Sequence, residues 1–281
     1  MPEQVKPDAE RVIRAVTPDA LLPSLAALYG APEADVVWMA QACTAGWIVL
    51  GSGDVLLAAV GARPSPQHGA ELLGGAFPGP AQVTAALAAT RAAHDAVGRV
   101  YAFADGTLFP PVELRAAGFR EVGAYRRLEG RVPYRHADAP DGVTVRVLAD
   151  VPDMTVRLQA LGTYEDRVGH HAVSPDAALD GAGGFDSHLS AIALDRQGHG
   201  IGVCRVTLEG NAGRMDSPGV HPQWRHTNLR AALLNAVNGR LRHQGITRVS
   251  VDSWGDTPAE LAHDLGLGLG VVDETPILAL G

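Results

Sequence analysis

MDSPGVHPQWRHTNLRAALL, residues 215–234, decides how the chain is read. It predicts a short strand, a proline turn, an arginine-bearing loop and an amphipathic helix. Val220, Pro222, Arg225, Leu229 and Leu233 set the pattern V-x-P-x-x-R-x-x-x-L-x-x-x-L, and Leu229, Leu233, Ala236, Val237 and Leu241 continue along one helical face. Thr227 or Asn228 stands where the helix needs a cap, and Gly245 where it stops. ITRVSV, residues 246–251, reads as a buried strand, so strand, loop, helix and strand form a parallel crossover. Such a unit brings backbone amides and a cation to a helix N-terminus, where first-turn N–H groups lack partners and the dipole favours anions. The stretch points to a phosphorylated carrier.

The remaining composition bounds the possibilities. The chain has 281 residues, 46% of them hydrophobic and 5% aromatic, enough apolar material for two ordinary cores. Its formal charge is −8 and Lys6 is its one lysine, so no basic patch for nucleic acid or anionic lipid stands out. Cys43 and Cys204 are far apart in apolar settings with no zinc spacing, and read as buried thiols of a reducing cytoplasm. MPEQVKPDAE at the start lacks an apolar core, and no stretch approaches 18 apolar residues, which predicts a cytoplasmic protein without a membrane partner. LGLGLG, residues 265–270, has the wrong spacing for a dinucleotide loop. No G-x-S-x-G occurs, and His170 and His171 lack a third metal ligand at helical spacing, so no metal is expected.

A long internal repeat organises the chain. Residues 12–19, VIRAVTPD, resemble Thr144 to Val147 with Pro152 and Asp153 following, and residues 98–101 match 247–250. LRAAGF, residues 114–119, matches AHDLGL, residues 262–267. A repeat of this length means two homologous domains rather than a solenoid. We place them at 1–132 and 143–281, with 133–142 as a polar, proline-bearing linker. Arg14 and Arg146 are 132 positions apart but Gly118 and Gly266 are 148 apart, so the second domain holds sixteen more residues. Residues 162–185, GTYEDRVGHHAVSPDAALDGAGGF, are the expected insertion. A polar insertion on a rigid scaffold is where binding groups collect.

Taken together, residues 215–251 resemble motif A of the GNAT superfamily of acyl-CoA N-acyltransferases. The superfamily pattern is Q/R-x-x-G-x-G/A. Gln223 fits its first position and Arg225 is kept, while His226 and Asn228 stand where glycines are usual and Arg230 is a further departure. The resemblance implies an α/β (α+β) protein of two GNAT-like domains, arranged as in mycothiol synthase. Each would be a mixed, mostly antiparallel twisted sheet flanked by helices, with a splayed central parallel strand pair. It implies acetyl-CoA as co-substrate, held by Gly219, Val220, Gln223, Trp224, Arg225, His226, Thr227, Asn228, Leu229 and Arg230. In the first domain the equivalent loop, within residues 71–87, has no arginine, and Pro78 and Pro80 remove donors. That domain is expected to be degenerate.

The implied reaction moves an acetyl group from acetyl-CoA to a primary amine of a small molecule by direct attack in the C-terminal domain. The alternative is an inactive binding module that keeps the fold. A backbone N–H of the strand would stabilise the oxyanion. Asp216 is the candidate base, with Glu209, Asp252 and His188 as rivals. Many members place a tyrosine where Ala262 stands here and Leu114 in the first domain, so Ser253 or His263 is the candidate acid, or the thiol, of pKa about 8.5, leaves unaided. Tyr164, Glu165, Asp166, His170, His171 and His188 are acceptor-site candidates. Monomer or homodimer is expected.

Overall fold

The computed structural model describes residues 11–281 apart from Asp256. Residues 1–10, with Lys6 and the start of the first predicted domain, lie outside the described residues. The described chain forms two compact units, residues 11–123 with 275–281, and residues 124–274.

In the first unit, β1 (Val12–Val16) leads into α1 (Pro18–Tyr29) and α2 (Glu33–Ala42). Thr17 caps α1 by accepting from the Ala20 N–H, and Gly30 ends it in the left-handed region at φ 60°. Then follow β2 (Ala45–Leu50), β3 (Leu56–Ser65), β4 (Gly69–Ala76), α3 (Pro80–Val97), β5 (Val100–Phe103), α4 (Pro111–Ala116) and the start of β6 (Arg120–Arg131). β1 to β4 pair antiparallel in order. β4 and β5 are parallel at Ala70 and Val100 and at Glu71 and Tyr101, and the described pairing goes no further.

The second unit holds β7 (Thr144–Val147), α5 (Met154–Leu161), β8 (Ala191–Leu194), β9 (Gly200–Cys204), β10 (Val206–Glu209), β11 (Ala212–Asp216), β12 (Gly219–Val220), α6 (Leu229–His243), β13 (Arg248–Trp254), α7 (Pro258–Gly266) and the start of β14 (Gly270–Leu280). β11 pairs parallel with β13 and antiparallel with β10, whereas β12 joins β9, β8 and β7. The mixed sheets and parallel pair expected from the sequence are present. The segment expected as one strand, residues 215–220, is two strands, because it changes neighbours at Ser217 and Pro218.

The units divide inside β6 and β14 rather than at 133–142. β6 runs unbroken for twelve residues, and Tyr125 to Arg131 pair with β13. At the other end, Ile277 to Leu280 of β14 pair with β5. Composition marks where regular structure stops, but ladder hydrogen bonds decide which core a strand joins.

The helical face read from the sequence is the buried one. Leu229, Leu233, Val237 and Leu241 of α6 have no exposed surface and pack with Met215, Val249 and Val251. Gly213 lets the helix lie close, since a Cβ there would stand 2.8 Å from Leu241 Cδ1. Residues 162–185 are only partly a polar surface insertion, since Thr163, Tyr164, Arg167, Val168 and Ala178 are buried. Tyr164 and Ala178 join a core cluster with Val151, Ala160, Leu161, Ile192 and Val203. Arg157 of α5, 4% exposed, pegs this segment down by donating to the carbonyls of Val151, Ala178 and Leu148 and to Asp180. Leu233→Ala should therefore cost about 2–5 kcal/mol of unfolding free energy. Urea titration checks this, and a loss below about 0.5 kcal/mol would place α6 outside the core.

Candidate active site

β11 and β13 stay in parallel register from Ala212 opposite Arg248 to Asp216 opposite Asp252. The Ser217 N–H still donates to the Asp252 carbonyl at 2.7 Å. The next residue that would donate to β13 is Gly219, which pairs with β9 instead, and the two strands part. β12 turns to β9, while β13 runs on to Trp254 along β6. The wedge between them leads to residues 221–228 and the N-terminus of α6.

The chain itself fills this wedge. Arg167 donates to the Pro218 carbonyl at 3.3 Å and to Glu260 of α7 at 2.8 Å. Val168 lies against Gly255, where a Cβ would come within 2.6 Å of its Cγ1. The His170 ring stacks on Tyr164, centroids 5.0 Å apart, and meets Trp254 edge-on at 5.6 Å. Thr163 and Tyr164 cover Gly219 so closely that a Cβ there would meet Thr163 Oγ1 at 2.5 Å. Residues 163–171 thus span the gap from β12 to the end of β13.

The loop before α6 is a tight turn. Gln223 N–H is turned to His221 Nδ1, and the amides of Trp224, Arg225 and Thr227 donate to the carbonyls of His221, Pro222 and Trp224. Thr227 Oγ1 accepts from the Leu229 N–H. Asn228 occupies the cap position without a side-chain cap bond, its amide donating to the Asp138 carbonyl instead. Gln223, Arg225, His226 and Asn228 are exposed along this turn, whereas Trp224 packs on the core and Leu229 belongs to it. The Arg225 guanidinium donates to the Val220 carbonyl at 2.9 Å and to Asp166 at 2.6 Å. The Pro218 and Val220 carbonyls are therefore both taken by arginines.

Arg225 and Arg230 differ in how firmly they are held. The Arg225 and Asp166 side chains are 36% and 33% exposed, and such a pair contributes about 0–1 kcal/mol. Arg230 is buried, forked onto both oxygens of the 1% exposed Asp264 at 2.7 Å, with Ser217 Oγ at 3.1 Å. Removing one partner of a buried pair costs about 3–5 kcal/mol. Arg225 can exchange Asp166 for a phosphate, but Arg230 is committed to α7, which corrects its expected place among the cofactor ligands.

The three expected catalytic residues do not assemble. Met215 packs against α6, so Asp216 points to the opposite face of the sheet, where Arg205 donates to it at 2.8 and 3.2 Å. Burial raises its carboxyl above the usual range against the opposing pull of Arg205. Phe185 covers that guanidinium at 3.9 Å. Ser253, 2% exposed, follows Asp252 on β13 and so faces away from it. His263 lies beside Arg230 and Asp264, each at 3.3 Å. The rival Asp252 is engaged by Tyr125 at 2.9 Å and Arg214 at 2.5 Å. Burial, and then the charge of Asp252, push the Tyr125 hydroxyl up to about 12.

Among the acceptor candidates, Tyr164 is 4% exposed and donates to the Val203 carbonyl, and Glu165 accepts from the Val173 N–H. Both hold the segment rather than face a ligand. His188 lies elsewhere, in a pocket against α6. Sequence reasoning missed Arg167, Glu260, Arg205 and Trp254. Only Glu260 had a signal, the capping box Thr257-x-x-Glu260 at the start of α7. Among the described residues no group of three His, Cys, Asp or Glu is placed to hold a metal, and no helix is long and apolar enough to cross a membrane.

The fold as a whole has counterparts among solved structures. A GCN5-related N-acetyltransferase from Sphaerobacter thermophilus superposes over 96% of this chain and 95% of its own, at 16% identity and a TM-score of 0.55. The chain has the tandem GNAT fold. A tandem GNAT protein of the clavulanic acid biosynthesis pathway superposes over 96% of this chain and 98% of its own, at 16% identity and a TM-score of 0.52. A conserved protein from Enterococcus faecalis V583 covers 96% of this chain and 72% of its own, at 13% identity and a TM-score of 0.63. No protein-family model and no curated protein sequence matches the chain.

His170 gives this GNAT-fold wedge a pH signature. Burial first, then the charge of Arg167, pull its imidazole down to about 3, so it is neutral when folded. An unfolded imidazole takes a proton near pH 6.5, so this group leaves stability unchanged above about pH 6.5 and erodes it as pH falls from there toward 3. Asp264 and Glu260 are held down by Arg230 and Arg167 despite burial, and their loss belongs below about pH 4. Urea midpoints should fall between about pH 7 and pH 5, with a smaller fall in His170→Phe. Equal falls in both proteins would remove His170 from the account.

Proposed function

We propose that the second unit is an acyl-CoA-dependent N-acyltransferase that moves an acetyl group from acetyl-CoA to a primary amine of a small molecule. The parting of β11 and β13 at Ser217 and Pro218, ahead of a helix N-terminus with Arg225 beside it, carries this reading. Arg225 and the first-turn amides of α6 are the groups that fit a pyrophosphate. The edge of β12 fits an extended arm once Arg167 and Arg225 release its carbonyls. Asp216 and Asp252 stand side by side on the far face as candidates to receive the amine proton. The thioester supplies the activated acyl group. Residues 163–171 must withdraw for it to enter, and Asp166 is the contact that yields first, because its pair with Arg225 is exposed.

A second reading, a binding module that keeps the fold without acyl transfer, is favoured by the buried pair of Arg230 and Asp264. Acetyl-CoA separates the two. At a hundred times its dissociation constant it should stabilise the protein by about 2.7 kcal/mol in a thermal melt, and thiol release should appear with a suitable amine. Binding without release for any amine of a broad panel would leave a CoA-binding module; no binding at all would sink the enzyme and leave a module for another metabolite or a scaffold.

Two substitutions test the loop. Arg225→Ala should weaken acetyl-CoA by roughly 10-fold to 150-fold, the worth of a charged hydrogen bond at about 1.5–3 kcal/mol. Asp166→Ala frees Arg225 and should tighten binding, by up to about fivefold for a contact of at most about 1 kcal/mol. Calorimetry reads both, and weaker binding in Asp166→Ala would mean that Asp166 positions Arg225 for its ligand.

A further inference from the structure

The C-terminal half of α6 borders a cavity whose lining residues are not those of the wedge. The cavity is about 680 Å³, and its walls include Arg135, His136, His188, Arg240, Arg242 and His243. Along α6 it runs from Asn235 to His243, roughly 10 to 22 Å from the loop before the helix at 1.5 Å per residue. In a chain of net charge −8, this concentration of guanidinium groups and imidazoles runs against the overall balance.

The arginines are positioned by neutral groups. Arg240 Nη1 donates to the carbonyls of Ser190 at 3.1 Å and Leu189 at 3.4 Å. Arg242 donates to the Pro133 carbonyl, with its guanidinium 4.9 Å from the centre of the Tyr134 ring. Arg135 reaches the Gly266 carbonyl at 3.4 Å. Carbonyl oxygens and a ring fix these side chains in place, while Asp150 acts on Arg240 through its charge and Asp138 pairs with His136 at 2.9 Å. The one carboxylate on the wall, Asp186, accepts from the amides of His188 and Leu189 through Oδ1. With Asp150 and the roughly half negative charge at the helix C-terminus, it offsets most but not all of the charge of three guanidinium groups, and His188 and His243 add to the cationic side on protonation. Burial disfavours the charged form of Arg240, and an anion in the cavity would favour it.

Space is available for one. Gly239 faces the cavity, and a Cβ there would meet nothing nearer than Arg242 Nη2 at 3.8 Å. Small-molecule sites span about 300–1,000 Å³, so the cavity holds more than a bare inorganic ion. Guanidinium forks match phosphoryl oxygens in geometry as well as charge. We propose that this cavity binds the phosphate of a small phosphorylated organic molecule, in a site separate from the acyl-transfer wedge.

Calorimetry of the full-length protein with inorganic pyrophosphate tests the proposal, in the Arg225→Ala background so that the wedge does not contribute. Gly239→Leu fills the cavity from a helix position that tolerates a side chain, and Arg240→Gln removes a charge. Each, added to Arg225→Ala, is expected to weaken pyrophosphate at least tenfold. Circular dichroism verifies folding, and Gly239→Leu carries the test if Arg240→Gln fails to fold. Pyrophosphate binding that is absent from the Arg225→Ala protein, or that survives Gly239→Leu in it, would overturn the assignment. Succinate binding as tightly as pyrophosphate would also overturn it, by showing a carboxylate site.

Discussion

Ser217 and Pro218 set the condition on which the second unit is built. A parallel ladder takes an N–H from every other residue, and after the Ser217 bond to Asp252 the next in line, Gly219, lies opposite Val203 of β9 instead. The strand leaves β13 and takes β9 as its partner at Gly219 and Val220. That change of neighbour creates the wedge and delivers the loop to the N-terminus of α6. It also exposes the Pro218 and Val220 carbonyls, which Arg167 and Arg225 satisfy. Buried or half-buried backbone acceptors rarely go without partners, so a strand that parts this way calls for donors from elsewhere in the chain or from a bound molecule.

Which contacts can give way follows from burial. The Arg225 pair with Asp166 sits in solvent, where ions lose little by separating. Arg230 and Asp264 are enclosed, and either left alone would be an uncompensated buried charge. The wedge thus has a soft side, formed by the loop and Asp166, and a hard side, formed by the tie between α6 and α7. Glu260 joins the two through Arg167, and its capping of α7 links that helix to the same network.

The first unit reaches a similar closure with different chemistry. Beyond Glu71, the Ala76 N–H donates to the Leu108 carbonyl, and Gly75 admits that segment because a Cβ would stand 2.3 Å from the Leu108 oxygen. The Gly74 N–H donates to the Tyr29 hydroxyl, which burial pushes up to about 12. No arginine takes part, and Pro80 opens α3. Where the second unit closes its wedge with ion pairs, the first does so with backbone and a phenol.

The sequence by itself determined what depends on local spacing. The face of α6 was legible in Leu229, Leu233, Val237 and Leu241, the parallel return strand in residues 246–251, and the tandem character in the repeat, because periodicity and turn chemistry act over a few residues. Glu260 could have been read from its capping box. What only the tertiary structure decided were relations between residues far apart in sequence: Asp166 with Arg225, Arg230 with Asp264, His170 between Tyr164 and Trp254. The same holds for the fate of residues 162–185, whose polar composition suggested a surface loop until Tyr164 found a core to enter and Arg157 found carbonyls to bind. Side-chain burial and charge pairing are set by which strands and helices meet, and no single stretch of sequence carries that information.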